Sequence, residues 1–323
     1  MPVRIPNTLG LDAFADNYYE YADAGQLATC LAAAPKPWLP VGGGSNLLFS
    51  KPAVEGSVFH CTDTSWEASR GNGYVRVRVG AGMRWDDFVK LCVDNEWYGA
   101  ENLSLIPGDV GAAAVQNIGA YGAEAGNLVS SVEVYDTVEG LPRVFFPDEC
   151  EYAYRSSIFK KSGKRYFVLK VIFKLSLIPS FSLNYGNLAG SIEGEPTLQK
   201  VRDAVIATRE AKLPDPEVIG SAGSFFMNPV VSEETFAALQ ARYPDMPHYP
   251  AAGGVKLSAG WLIDRSGCKS MAVGDAGVYE KHALILVNRG HATAADILRL
   301  AEDITAKVES VFGVRLQPEV ETV

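Results

Sequence analysis

Residues 104–124 read SLIPGDVGAAAVQNIGAYGAE, and the reading of this stretch decides the fold. Glycines without a Cβ let backbone N–H groups approach a pyrophosphate closely and point inward as a nest. The small residues Ala112 to Ala114, Gly119 and Ala120 leave a flat wall for a ring system. A second cluster, GGGSNLL at 42–48, follows the predicted strand WLPV at 38–41. Neither stretch matches GxGxxG or GxxxxGK[ST], and Gly80-Ala81-Gly82 lacks a third glycine, so Rossmann and P-loop readings are disfavoured. Either loop alone reads more readily as ordinary tight turns and bends. The pair does so much less readily.

Outward from these loops, YVRVRV at 74–79 alternates apolar and basic residues and predicts a half-exposed strand. Residues 84–97 follow with Trp85, Phe88, Val89 and Cys92 at helical spacing, and Gly99 ends them. Strands are predicted at 129–135 and 165–175, and helices at 24–34 and 198–212. The latter stops at Leu213-Pro214-Asp215-Pro216, the clearest domain boundary. Beyond it lie predicted strands at 221–227 and 283–287 and helices at 233–242 and 258–264. A long helix opens at the N-cap Thr293 and closes before Gly313. The mixture lacks a strict βαβ rhythm and predicts α+β layers.

The 323 residues suggest about two domains, possibly three small ones. At 47% hydrophobic and 21% charged, the composition is that of an ordinary globular protein. A net charge of −9 argues against nonspecific nucleic-acid binding, and an anionic substrate would need a local basic pocket. Cys30, Cys61, Cys92, Cys150 and Cys268 are scattered and form no CxxC, which predicts free thiols. His60, His248, His282 and His291 show no metal-ligand spacing, so no metal is expected. The segment MPVRIPNTLGLDAFADNYYE lacks the build of a signal peptide. The most apolar stretch, 166–178, is interrupted by Lys170 and Lys174, so no membrane span is expected. The expected location is cytoplasmic.

Three polar residues stand in unusual surroundings. Arg155 lies in YRSSIFK just before an apolar strand, Ser224 in GSFFMNP between a glycine and two aromatics, and Glu319 in LQPEV. Alone, each has an ordinary explanation: a surface ion pair, a hydrogen-bonded strand serine, a solvated tail carboxylate. No GxSxG elbow surrounds Ser224, which disfavours a hydrolase nucleophile.

Read in order, GGGSNLL, IPGDVGAAAVQNIGAYGAE, YRSSIFKK, KLPDPEV, GSAGSFFMNP, KLSAGWLID and LQPEV resemble the UDP-N-acetylenolpyruvoylglucosamine reductase (MurB) family over nearly the whole chain. The YRSSIFK region and Asn184-Tyr185-Gly186 resemble its first type, in which a tyrosine-bearing loop covers the substrate. The resemblance implies an α+β fold with a two-part FAD-binding region of the vanillyl-alcohol-oxidase type and a C-terminal α+β substrate domain. On this chain those would be residues 1–62, rejoined by 314–323, then 63–213, then 214–313.

The implied activity is NADPH-dependent reduction of UDP-N-acetylglucosamine enolpyruvate to UDP-N-acetylmuramate for peptidoglycan, by a monomer. By resemblance, Arg155 stabilises the developing enediolate, Ser224 donates the proton, and Glu319 assists, acting protonated or through a network. FAD would be held by Gly42, Gly43, Gly44, Ser45, Asn46, Leu47, Pro107, Gly108, Gln116, Asn117, Ile118, Gly119, Ala120, Tyr121 and Gly122, with Arg209 near the flavin. Tyr185, Lys212, Asn228, Tyr249 and Lys269 match positions around the UDP moiety. Two departures from the family pattern are Met227, where a basic residue is usual, and His282, where a polar amide is expected. Other readings are a different FAD-dependent oxidoreductase of the same superfamily, or a noncatalytic sugar-nucleotide-binding protein.

Overall fold

The computed structural model describes residues 1–186 and 188–323. The chain forms two compact units. The first comprises Met1–Arg4, Phe14–Gly43 and Val54–Ala211; the second comprises Ile5–Ala13, Gly44–Ala53 and Lys212–Val323.

The first unit is organised around an antiparallel five-stranded sheet in the order Leu141–Phe145, Val129–Asp136, Tyr166–Ser176, Tyr74–Gly80, Trp66–Arg70. The alternation at 74–79 does what period two requires, with Val75, Val77 and Val79 fully buried. Each such valine contributes roughly 1.5 kcal/mol or more by leaving water. On the other face Arg78 forks onto Glu133 of the neighbouring strand with both contacts at 2.6 Å. Two helices supply much of the core, Trp85–Asp94 and Val110–Gln116. Trp85 and Phe88 pack against Phe173, the Phe88–Phe173 rings stacking at 4.5 Å. A four-stranded sheet, Val3–Arg4, Phe14–Tyr21, Ala53–Cys61 and Trp38–Pro40, completes this unit, its last pair being parallel.

In the second unit a four-stranded sheet runs Gly220–Ser224, His282–Asn288, Ala276–Tyr279, Ala272–Val273. The helix Ala294–Phe312 buries one stripe, Ile297, Leu300, Ala301, Ile304, Thr305, Val308 and Phe312. A Thr293–Asp296 capping box starts it, and Gly313 at φ 69° stops it. A small sheet of Val230–Val231, Gly254–Leu257 and His248–Ala251 lies ahead of the helix Ala259–Arg265 in the chain. Helices and antiparallel sheets are layered without βαβ units, an α+β arrangement. Among the described residues no helix is long and apolar enough to cross a membrane.

The helix Leu198–Lys212 is fastened to the first unit by an ion pair. Arg202 Nη1 and Nη2 each meet a different Asp86 carboxylate oxygen at 2.7 Å, and Leu105 N donates to Asp86 Oδ1. Burial pushes the Asp86 carboxyl up, but the Arg202 hydrogen bonds, the Leu105 N–H and the nearby guanidinium charges outweigh it and hold the pKa low. A carboxylate whose pKa is lower folded than unfolded adds stability above the usual range and loses it as pH falls. Asp86→Asn should therefore lower stability at pH 7 by about 3 kcal/mol, the low end for a buried pair, because the Asp86 side chain keeps 27% of its exposure. In urea titrations the gap from the unsubstituted protein should close as pH falls below about 4.

Candidate functional site

In the first unit the 104–124 stretch forms a compact frame. The helix Val110–Gln116 is followed by Asn117 in the left-handed region, φ 48°. Asn117 earns that conformation through its amide: Oδ1 accepts Gly126 N at 2.8 Å, and Nδ2 donates to Ala153 O and Glu124. Gly119–Ala120 then pairs with Ala123–Glu124 across a two-residue hairpin. Tyr121 at φ 48° and Gly122 at φ 80° both take positive φ at its tip.

Gly42 and Gly43 lie against this frame. A Cβ on Gly42 would stand 2.8 Å from Asp109 Oδ2, and one on Gly43 would stand 3.4 Å from Gly108 Cα. Burial raises the Asp109 carboxyl; the charges of His60 and Arg84 and the Gly43 N–H partly offset this. Gln116 Nε2 and Arg209 Nε are among the donors of this unit that are buried with no hydrogen-bond partner among the described residues. Burial also lowers the Arg209 pKa, against the nearby Tyr121 and Asp86.

Arg155 occupies a tight turn closed by reciprocal Ala153–Ser156 hydrogen bonds, and it sits at φ 53°. A non-glycine residue is held there only by its surroundings. Lys160 Nζ donates to Arg155 O, and Arg155 Nη2 donates to Gly119 O at 2.9 Å. Arg155 is thus brought onto the hairpin of the glycine-rich frame. Tyr185 is 48% exposed and meets the Tyr121 ring edge to face at 6.0 Å. Asn102, which sequence reasoning missed, donates to carbonyls on both sides of that contact. Its one sequence signal is a polar residue in ENL, just before the apolar Leu103.

In the second unit, Ser224 ends the strand Gly220–Ser224 directly after a register shift against His282–Asn288. Gly223 takes φ 71° at that bulge, and a bulge re-aims the side chain next to it. Phe225 N still donates to Leu284 O at 2.9 Å, and its other side pairs with the tail. Glu319 N donates to Phe225 O at 2.8 Å, Met227 N donates to Gln317 O at 2.9 Å, and Phe226 bridges Pro318. Ser224 and half-buried Glu319 are therefore set on adjoining backbone segments. The second half of GGGSNLL is tied to the same tail. Asn46 Nδ2 donates to Glu319 O, Glu321 N to Asn46 O, and Leu47–Leu48 runs parallel to Glu321–Thr322. Gly44, at φ 65°, lies so close to Pro6 that no Cβ fits.

Two basic residues of this unit, Lys212 and Lys269, act on the charge of His282. Burial lowers its pKa first, then the positive charge of Lys212 and, more weakly, of Lys269, so the ring is neutral at pH 7. Lys212 and Lys269 are exposed. Asn228 has a structural task, its Oδ1 accepting the Ala259 N–H at 2.9 Å where the helix Ala259–Arg265 begins. Tyr249 is 45% exposed on the strand His248–Ala251. Among the described residues no cluster of His, Cys, Asp and Glu has the makings of a metal site. A histidine whose folded pKa lies below its unfolded value loses stability as pH falls through that range. Thermal melts from pH 7.5 to about 5.5 should show such a loss, and His282→Gln should remove that component.

Residues 215–323 match the family model described as UDP-N-acetylenolpyruvoylglucosamine reductase, C-terminal domain, and residues 16–141 match that of the FAD binding domain. A curated UDP-N-acetylenolpyruvoylglucosamine reductase of Bacteroides fragilis is 48% identical over 97% of this chain and 96% of its own length. One from Porphyromonas gingivalis is 46% identical over 99% of this chain and 97% of its own. The crystal structure of UDP-N-acetylenolpyruvylglucosamine reductase (MurB) from Thermus caldophilus matches with a TM-score of 0.71 at 25% identity, covering 100% of this chain and 98% of that one. Likeness of this degree along the full length shows that the chain belongs to the UDP-N-acetylenolpyruvoylglucosamine reductase family of FAD-dependent oxidoreductases.

Proposed function

We propose that this protein reduces UDP-N-acetylglucosamine enolpyruvate to UDP-N-acetylmuramate in peptidoglycan synthesis, using NADPH. The observation that carries the reading is the Gly223 bulge, which presents Ser224 beside the backbone of Glu319 in a chain of this family.

The residues present fit FAD. Gly42 and Gly43 leave room that a side chain would fill, and Gln116 and Arg209 hold buried donors with no protein acceptor. Gly42 to Leu47, Pro107, Gly108, Gln116 to Gly122 and Arg209 would hold the cofactor. In this reading residues 1–62, 63–213 and the tail serve FAD, and 214–313 serve the sugar nucleotide. When bound, FAD supplies the hydride chemistry that links NADPH to the terminal methylene carbon of the enol ether.

The chain's own groups then manage charge and the proton. Hydride at the methylene leaves an electron pair at the α-carbon, which the substrate carboxylate absorbs as an enediolate. Arg155 offsets that added negative charge through a charge-assisted contact. Ser224 Oγ gives its proton to the α-carbon, forming the lactyl ether, and is reprotonated from water. Glu319 orients this transfer. A serine is a weak acid, but the enediolate is a strong carbon base, so placement decides the rate. Lys212 and Lys269 supply local positive charge for the diphosphate in a chain of net charge −9, and Tyr185, Asn228 and Tyr249 hold the rest of the nucleotide sugar.

Two outcomes test the reading in anaerobic spectra. Ser224→Ala should still let NADPH bleach the flavin but slow reoxidation by the enolpyruvyl sugar at least about 10²-fold. Equal loss in both half-reactions, or in neither, would remove the proton-donor role. Gly42→Ala, whose Cβ meets Asp109 Oδ2 at 2.8 Å, should purify with a reduced flavin-to-protein absorbance ratio.

A further inference from the structure

A single buried amide ties the segment carrying Tyr185 to the hairpin carrying Tyr121. Asn102 lies in the short 3-10 turn Glu101–Leu103 and is 2% exposed. Its Nδ2 donates to Tyr121 O at 2.9 Å and to Ser182 O at 2.7 Å, so both amide protons are committed. Its Oδ1 is buried with no hydrogen-bond partner among the described residues, a cost that a merely space-filling residue would not incur. The turn itself is braced: Gly99 N donates to Glu101 Oε2 at 2.7 Å, and Ser104 Oγ donates to Glu101 O at 2.6 Å.

Both carbonyls that Asn102 holds lie in backbone outside the helices and strands. Tyr121 is at positive φ in a two-residue hairpin. Residues 180–186 form no helix or strand. A Cβ on Gly122 would stand 3.6 Å from Tyr185 Cβ and 3.8 Å from Ser182 Oγ, so the two segments run in direct contact. The Tyr121 and Tyr185 rings meet there edge to face, and Phe181, Leu183 and Tyr121 pack on Leu188, Val201 and Val205. Edge-to-face contact and apolar packing tolerate sliding. Two directional bonds from one rigid amide do not.

We propose that Asn102 is a positioning residue for the reductase reaction. By holding Tyr121 O and Ser182 O together, it makes the placement of Tyr185 over the sugar nucleotide depend on the cofactor-side hairpin. The proposal rests on the reading that Tyr185 contacts the substrate.

The test is a double-mutant cycle in the FAD-loaded enzyme. Asn102→Asp keeps the size, loses both donors and sets a carboxylate against two carbonyls; Tyr185→Ala removes the ring. KM for UDP-N-acetylglucosamine enolpyruvate, kcat, and the rate of flavin bleaching by NADPH are measured for each. Tyr185→Ala and Asn102→Asp should each raise KM about tenfold, while NADPH bleaching changes by less than about twofold. The double variant should be no worse than the worse single variant, because an untethered segment has no placed ring left to lose. Multiplicative KM effects, or an unchanged KM in Asn102→Asp when Tyr185→Ala raises it, overturn the positioning role alone. An unchanged KM in Tyr185→Ala overturns the Tyr185 contact and the proposal with it. Should Asn102→Asp fail to retain FAD, Asn102→Ser carries the same cycle.

Discussion

Two backbone hydrogen bonds hold the functional loops of the first unit in place: Val110 N to Met83 O at 2.8 Å, and Gly111 N to Ala81 O at 2.9 Å. The helix they anchor has two turns, too few to persist without tertiary support. It can lie this close only because residue 111 lacks a side chain, since a Cβ there would stand 2.8 Å from Ala81 Cβ. Everything downstream inherits that placement. Gln116, the Asn117 turn, the Tyr121 hairpin and, through Gly119 O, Arg155 are all referred to one glycine lying on one alanine.

The second unit solves a different problem, that of presenting a small hydroxyl from a sheet edge. A regular strand through 220–227 would alternate its residues between the two faces. The Gly223 bulge breaks that alternation at Ser224 and frees the following backbone to pair with residues 317–319. Phe225 and Phe226, both buried, supply the apolar wall behind it. The same backbone bonds keep Glu319 from being a loose tail carboxylate.

Much of this was legible in the chain. The valines of YVRVRV, the Thr293 and Gly313 caps and the prolines after Lys212 are local signals, and each element appears at its expected place. The expected strand at 221–227 ended sooner, at Ser224, because a bulge depends on a partner strand that the local pattern does not encode. The glycine loops were readable as loops, but not the buried donors of Gln116 and Arg209, since an unpaired atom is a property of the packed state. Asn102 was invisible for the same reason: its two acceptors lie far along the chain in stretches with no periodicity. The lowered pKa of His282 likewise arises from burial and from lysines distant in sequence, both properties of the packed state.

The second unit is assembled from three separate pieces of chain, 5–13, 44–53 and 212–323. Leu9, Leu11 and Leu48 share one core with Leu316 and Val320, and Ser50 N closes on Val323 O. During synthesis, the early pieces therefore emerge long before their partners. At about 5–20 residues per second they wait tens of seconds, with apolar side chains that nothing yet covers. The first unit waits less, because its residues end at Ala211. Biogenesis of this protein thus has a built-in order, and its most exposed interval for chaperones or aggregation falls just before residues 316–323 leave the ribosome.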